Sequence, residues 1–82
     1  MSDFRELDGV RVLSVEGVVP WSDLGDDARL PRIGDVATVV EVLHAPGHPD
    51  GFECECVDAQ GRTLWLATFH AEALELIAKD AR

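Results

Sequence analysis

One stretch, residues 51–69, constrains the fold most, because it contains two strand patterns and the turn that joins them. Over its first half, three apolar positions alternate with their neighbours at the two-residue period of a half-buried strand: Phe52, Cys54 and Cys56. The segment Asp58-Ala59-Gln60-Gly61 follows, with a hydrogen-bond acceptor first and glycine last. This order favours a type I turn closed by a glycine bulge. The stretch therefore predicts a β-hairpin, which needs neighbouring strands to be stable in water.

Both sides of the returning strand of this hairpin are apolar. Leu64 and Leu66 lie on one side, and Trp65 and Phe69 lie on the other. We predict that the leucine side faces the core, and the full set of predicted core residues is Val12, Val36, Val40, Val42, Phe52, Cys54, Leu64 and Leu66. Trp65 is then a candidate for a protein-binding surface, although a tryptophan in a small barrel is at least as often part of the core.

Three further segments have strand patterns: Val10–Val15, Asp35–His44 and Leu74–Ala78. The second has a nearly continuous apolar run, which favours a central strand with contacts on both faces and a bulge. His70–Leu74 is too short for an independent helix and predicts one tight helical turn. Residues 1–8 are predicted to be a polar lead-in, and residues 79–82 a frayed end.

These elements predict an all-β fold, a small five-stranded SH3-like barrel with one short helical turn before the last strand. The connection from Gly17 to Gly34 is a long first loop, and loops of this length in small domains are usually functional or mobile. An OB-type barrel is the alternative, but the long helix between its third and fourth strands has no counterpart here. We expect a single domain over residues 1–82, with an ordered core at about 7–78.

The charge balance narrows the class of partner. The chain has 16 acidic and 7 basic residues, and its formal net charge is -9. Such a charge repels phosphate backbones and anionic lipids and attracts basic partners. A basic face with stacking aromatics, which nucleic-acid binding needs, is missing from the sequence. The acidity therefore indicates either a basic protein partner or only the maintenance of solubility.

The residues with catalytic or metal-binding chemistry do not form a recognisable motif. Cys54 and Cys56 are spaced unlike the paired ligands of structural zinc sites, so buried reduced thiols are the favoured interpretation. Glu53 and Glu55 flank the thiols and are expected to raise their pKa, which disfavours a Cys-His nucleophile. The candidate imidazole partners for the thiols are His44, His48 and His70. We predict no enzyme activity, no cofactor and no metal site.

The sequence also bears on location. It has no apolar run of the ~18 residues that a membrane helix requires. Its first residues, MSDFRELDG, lack the basic and apolar regions of a signal peptide. Together with reduced thiols, these features predict a cytoplasmic protein.

Six segments, which span most of residues 7–77, form a pattern of strand and turn residues: Leu7–Asp8, Val10–Leu13, Gly34–Val42, Cys56–Asp58, Gly61–Thr63 and Thr68–Leu74. In this pattern the chain resembles a family of small bacterial proteins known only as a domain of unknown function. The resemblance implies an SH3-like barrel that acts as an antitoxin or immunity partner of a toxin-like protein encoded nearby. The segment from Trp21 to Ala28 departs from the pattern as an insertion, and Ala37 stands where glycine is expected.

A weaker resemblance involves the loop and the following strand. Its residues are Arg29-Leu30-Pro31-Arg32, Gly34, Thr38-Val39, His44 and Pro49-Asp50. This pattern is similar to the SH3-like barrel in the β subunit of nitrile hydratases, which packs on a metal-bearing subunit. Cys54-Glu55-Cys56 does not match the metal-binding motif of that other subunit. The resemblance therefore also implies a module that binds another protein.

We therefore expect a non-enzymatic acidic protein-binding module, an immunity or antitoxin-type inhibitor of a basic toxin. The alternative is an accessory or structural subunit of a multi-protein enzyme, such as a nitrile-hydratase-like complex. Neither nucleic acid nor membrane is an expected partner. The candidate partner-binding residues are the exposed acids and the two tryptophans: Trp21, Asp23, Asp26, Asp27, Glu41, Glu53, Glu55 and Trp65.

Overall fold

The computed structural model describes residues 3–79. Its strands and single short 3-10 helix are β1 (Gly9–Val12), β2 (Val36–Leu43), β3 (Gly51–Val57), β4 (Thr63–His70), the 3-10 turn (Ala71–Ala73) and β5 (Leu74–Ala78). The strands form one antiparallel sheet in the order β4-β3-β2-β1-β5. This confirms the predicted all-β class, with one helical turn before the last strand. The sheet is open, since no ladder joins β4 to β5 within the described residues.

The turn between β3 and β4 has the predicted chemistry. The Asp58 carboxylate accepts hydrogen bonds from the backbone N–H groups of Gln60 and Arg62, each at 2.9 Å. Asp58 N–H donates to the Arg62 carbonyl at 2.9 Å, and Gly61 has a φ of 81°. Only glycine adopts this left-handed conformation without strain, so the glycine at the fourth position closes the turn as a bulge.

The core lies on one side of the β3–β4 hairpin. Phe52, Cys54 and Cys56 of β3 are buried as predicted. They lie opposite three buried residues of β4, which are Phe69, Ala67 and Trp65 respectively. Opposite residues of an antiparallel pair share a face of the sheet. The prediction that Leu66 faces the core is therefore wrong, and Leu66 is half-buried on the other side. Leu64 is the extra residue of a bulge in the hairpin, and it is partly buried and packs against the core, as predicted.

The buried side of β2 also differs from the prediction. Val39 and Ala37 are buried, whereas Val36 is 51% exposed and Val40 is only partly buried. A bulge explains part of this difference, because Val39 lies opposite Cys54 while Glu41, two residues later, lies opposite Glu53. Val40 is the extra residue of the bulge, and the strand resumes its alternation after it.

The first residues contribute to the core. Phe4 is buried, and its ring meets that of Phe52 edge to face, with the centroids 5.1 Å apart. Asp8 is also buried, and its carboxylate accepts a hydrogen bond from Arg5 N–H at 2.9 Å. The polar lead-in predicted for residues 1–8 is therefore wrong for Phe4 and Asp8, while the other residues of 3–8 are exposed. Residues 1 and 2, and residues 80–82 of the predicted frayed end, lie outside the described part.

The long loop runs along the free edge of β4. Pro20 forms an isolated bridge with Ala67, and Trp21 N–H donates to the Leu66 carbonyl at 2.8 Å. Further along the loop, Arg29 N–H donates to the Leu64 carbonyl at 2.8 Å. These bonds satisfy backbone groups that an edge strand would otherwise expose. The loop is therefore attached to the sheet at two places.

Within residues 3–79 the helical content is confined to the 3-10 turn, so no helix there is long and apolar enough to cross a bilayer.

Candidate functional site

Three glutamates lie on the face of the sheet that points away from the core, which we call the acidic face: Glu41, Glu53 and Glu55. Glu53 and Glu55 alternate with the buried residues of β3, and both are partly exposed. The register places the exposed Glu41 of β2 directly opposite Glu53. The structure therefore brings these three predicted residues together.

The pair of Glu41 and Glu53 is unfavourable for the isolated domain. Like charges directly opposite on neighbouring strands destabilise a sheet. Neither carboxylate forms an ion pair with a cation of residues 3–79. Glu55 differs, because one of its oxygens accepts a hydrogen bond from the Thr63 hydroxyl. The acidic face thus holds two carboxylates that are free to pair with a cation from outside the domain.

Trp21 lies at the margin of the acidic face. Its backbone bond to Leu66 places the two residues opposite each other, and Leu66 lies opposite Glu55. Opposite residues share a face, so Trp21, Leu66 and Glu55 form a row across the sheet. The Trp21 side chain is 58% exposed. The structure therefore places this predicted loop residue in the same row as Glu55, with Leu66 between them.

The three loop aspartates are separate from the acidic face. Asp23, Asp26 and Asp27 are all exposed. Asp27 pairs with Arg62 at 3.5 Å, which links the loop to the β3–β4 turn. No described hydrogen bond or ion pair joins Asp23 or Asp26 to the sheet. Their carboxylates add to the negative field without a fixed position on the acidic face.

Trp65 is not available to a partner. Its side chain is fully buried, and its ring packs on Phe69 with the centroids 5.6 Å apart. Its indole N–H donates to the Asp35 carboxylate at 2.8 Å, which satisfies the one polar atom of the side chain. The prediction of Trp65 as a partner-binding residue is therefore corrected to a core residue.

Asp35 is the centre of a polar cluster that sequence reasoning missed. Besides the Trp65 indole, its carboxylate accepts a bidentate pair from the Arg29 guanidinium, at 2.8 and 3.0 Å, and a bond from Arg32 N–H at 2.9 Å. Burial by itself would raise the pKa of Asp35, but the hydrogen bonds from Arg29, Arg32 and Trp65 outweigh it and lower the pKa. The hydrogen bonds that Arg29 donates to Asp35 also raise the pKa of Arg29. The cluster fixes the second half of the long loop to the core.

The two thiols are buried and free of disulfide bonds. Burial raises the pKa of Cys54 to about 12, and the neighbouring Glu53 charge adds to the effect. Burial also raises the pKa of Cys56, with Asp35 as the next cause and Arg29 acting against it. Both thiols are therefore protonated at neutral pH, and a protonated thiol is a poor nucleophile and a poor metal ligand.

The histidines lie at another corner of the molecule. His44 meets the Asp50 carboxylate at 2.7 Å, and His70 Nδ1 lies 3.3 Å from the Asp50 carbonyl oxygen. Within the described residues, no group of three or more His, Cys, Asp or Glu side chains could hold a metal ion.

The other side of the long loop forms a shallow apolar groove of about 130 Å³, lined by Val15, Val18, Pro20, Leu30 and Pro31. Pro20 and Trp21 are adjacent, so their side chains point to opposite sides of this extended segment. Three large apolar residues of the loop are strongly exposed: Val19 at 82%, Leu30 at 69% and Ile33 at 70%. The groove is therefore a surface distinct from the acidic face.

Comparison with protein families gives a match over a large part of the chain. The model of Domain of unknown function (DUF4926) matches residues 26–76, which is more than half of the chain. The chain belongs to this family. The matched range contains β2, β3, β4, the Asp35 cluster and all three glutamates of the acidic face, whereas Trp21 and Asp23 precede it. Comparisons with curated proteins and with solved structures found no match.

Proposed function

We propose that this chain is a non-enzymatic protein-binding module whose acidic face holds a basic protein, as an inhibitor of the immunity or antitoxin type. The partner is a basic toxin encoded nearby, such as a nuclease with a positive cleft. An acidic surface can block such a cleft by taking the place of the phosphates that it binds.

The observation that carries this proposal is the position of Glu41 directly opposite Glu53, with no cation of residues 3–79 paired to either. The pair costs the isolated domain stability, and a cation from a partner would remove that cost. Binding of a basic partner is therefore favoured by the attraction between opposite charges and also by the removal of the repulsion between Glu41 and Glu53.

The net charge extends the effect beyond contact distance. A charge of -9 on a small domain attracts a basic partner before the two surfaces meet. Attraction of this kind mainly raises the association rate and is screened by salt within about 10 Å at 0.1 M. We expect complex formation to slow as salt is added.

Copurification with the product of the neighbouring gene tests the proposal. The test variant is the double reversal Glu41→Lys and Glu53→Lys on the acidic face. The matched control is Glu16→Lys and Glu72→Lys, which changes the net charge equally at exposed sites beside a different cleft.

We expect the wild type and the control to capture the partner and the test variant to lose most of the capture. Equal capture by the two double variants would contradict the proposal. Thermal melts of both variants should match the wild type, because all four positions lie outside the buried core.

The exposed loop residues Val19, Leu30 and Ile33 favour a second candidate, an accessory subunit of a multi-protein enzyme. Permanent subunit interfaces are large and apolar, and such an interface would cover these side chains. The two candidates differ in their response to salt and mutation. An accessory subunit should stay bound in high salt and lose its partner with Leu30→Asp, while the acidic-face reversal should have little effect.

A further inference from the structure

The most exposed aromatic side chain of the sheet region is Trp21, and the backbone fixes its position. Its N–H bond to Leu66 and the adjacent bridge between Pro20 and Ala67 hold this part of the loop as a short extra strand beside β4. The side chain therefore stands on the outer face of the sheet while remaining 58% exposed. Because the backbone of Trp21 is already fixed, only its side-chain rotamer remains to be ordered when a partner arrives.

The surroundings of Trp21 specify the chemistry of the group that would cover it. Leu66 lies beside it, and Glu55 lies beyond Leu66 in the same row. Glu53 lies one row away, two residues along β3. Opposite residues in a sheet have their Cβ atoms about 5 Å apart, so a long side chain lying over Leu66 can reach both the indole and a carboxylate.

Arginine meets these requirements better than lysine. Its planar guanidinium stacks on an indole ring and can form two parallel hydrogen bonds to a carboxylate. The lysine ammonium is a compact, strongly hydrated charge that fits a carboxylate but stacks poorly on a ring. A second copy of this chain is a poor occupant, since two molecules with a charge of -9 repel each other.

We infer that the partner places an arginine side chain over Leu66, stacked on Trp21 and paired with the carboxylate of Glu53 or Glu55. This inference rests on the proposed function, because it names the chemical group by which a basic protein would recognise the acidic face.

Octa-arginine and octa-lysine peptides that carry a fluorescent label test the inference by anisotropy titration at low salt. A cation–π contact at an exposed site is worth a factor of about two to five in affinity. We expect the wild type to bind octa-arginine more tightly than octa-lysine by this factor. Trp21→Leu should weaken octa-arginine binding more than octa-lysine binding and so reduce the preference, because the stacking contribution is lost while the pairing with carboxylates remains. Trp21→Phe should retain more of the preference than Trp21→Leu does.

The two proposals fail in different ways in this experiment. If the wild type binds the two peptides equally, or if Trp21→Leu retains the whole preference for arginine, the arginine inference is wrong. If Glu41→Lys with Glu53→Lys weakens neither peptide more than Glu16→Lys with Glu72→Lys does, the acidic face is not the binding surface. The proposed function and the inference then both fail.

Discussion

The β3–β4 hairpin and the long loop each contain one tryptophan, and the fold treats them in opposite ways. Trp65 of the hairpin is fully buried, and Asp35 accepts the hydrogen bond of its indole. Trp21 of the loop is attached to the sheet by its backbone, and more than half of its side chain remains exposed. The first is part of the core, whereas the second leaves most of its side chain open to solvent.

This difference shows that attachment and burial are separate properties in a small β domain. The loop gains order from polar bonds, from the Arg29 pair with Asp35 and from the backbone bonds to β4. It therefore keeps apolar side chains such as Val19 and Leu30 on the surface without relying on their burial. An ordered loop with exposed apolar groups is a feature of binding surfaces.

Replacing each tryptophan in turn gives the largest expected effect. Trp65→Ala should reduce the free energy of unfolding by about 3–5 kcal/mol, because it leaves a cavity and removes the donor to Asp35. Trp21→Ala should reduce it by less than about 1 kcal/mol, since the side chain is mostly exposed. Urea unfolding followed by circular dichroism measures both values. Comparable losses of unfolding free energy for the two variants would contradict the distinction between a buried, stabilising Trp65 and an exposed Trp21.

The Asp35 cluster gives the next largest effect. Asp35→Asn should cost about 1–3 kcal/mol at neutral pH, because the variant loses the ion pair to Arg29 and weakens two other hydrogen bonds. Urea unfolding at several pH values measures the cost.

The lowered pKa of Asp35 determines the pH dependence. The unfolded carboxylate takes up its proton at a higher pH than the folded one, so acid favours unfolding. The contribution of Asp35 is complete above the ordinary carboxyl pKa of about 4 and is lost as the pH falls through the lowered folded value. The stability gap between the wild type and Asp35→Asn should therefore shrink below about pH 4. If the difference in free energy of unfolding stays constant into strong acid, the ionised Asp35 carboxylate is not its cause.

The alternation of the strands could be predicted, but the buried side could not. Leu66 faces away from the core, although it is as apolar as the buried Trp65 and Phe69 on the other side. A two-residue period divides the side chains into two groups without saying which group faces inward when both are apolar. The burial of Trp65 depends on a hydrogen bond to Asp35, thirty positions away in the chain, for which the local pattern has no signal.

The candidate site was partly predictable for a similar reason. Glu53 and Glu55 alternate with the apolar residues along β3, so their side chains point to the other face and are partly exposed. Glu41 shares their face only because Val40 forms a bulge in β2. The apolar run of β2 indicated a bulge without giving its position. The place of Trp21 beside Leu66 depends on a loop that pairs with an edge strand, and loop residues carry no periodic pattern.

The smallest expected effect comes from replacing two glycines that have a positive φ. One lies in the turn of the hairpin and the other in the long loop, so the two replacements compare the rigidity of these regions. Gly61 has a φ of 81° in the hairpin turn, and Gly25 has a φ of 102° in the loop. Gly61→Ala should cost about 1–2 kcal/mol, because the turn cannot change without breaking the bonds to Asp58. Gly25→Ala should cost less, because the loop between its two attachments to β4 can adjust. Equal losses in urea unfolding would mean that the loop tip is as rigid as the hairpin turn.

The association rate of the partner from the neighbouring gene, measured at increasing salt, tests the central claim most directly. Stopped-flow mixing with the wild type should give a rate that falls steeply as sodium chloride is added, while the dissociation rate changes less. Glu41→Lys with Glu53→Lys should associate more slowly at low salt and show a flatter dependence than Glu16→Lys with Glu72→Lys. Association that is independent of salt, or equal for the two double variants, would contradict the claim that the acidic face guides a basic partner to this domain.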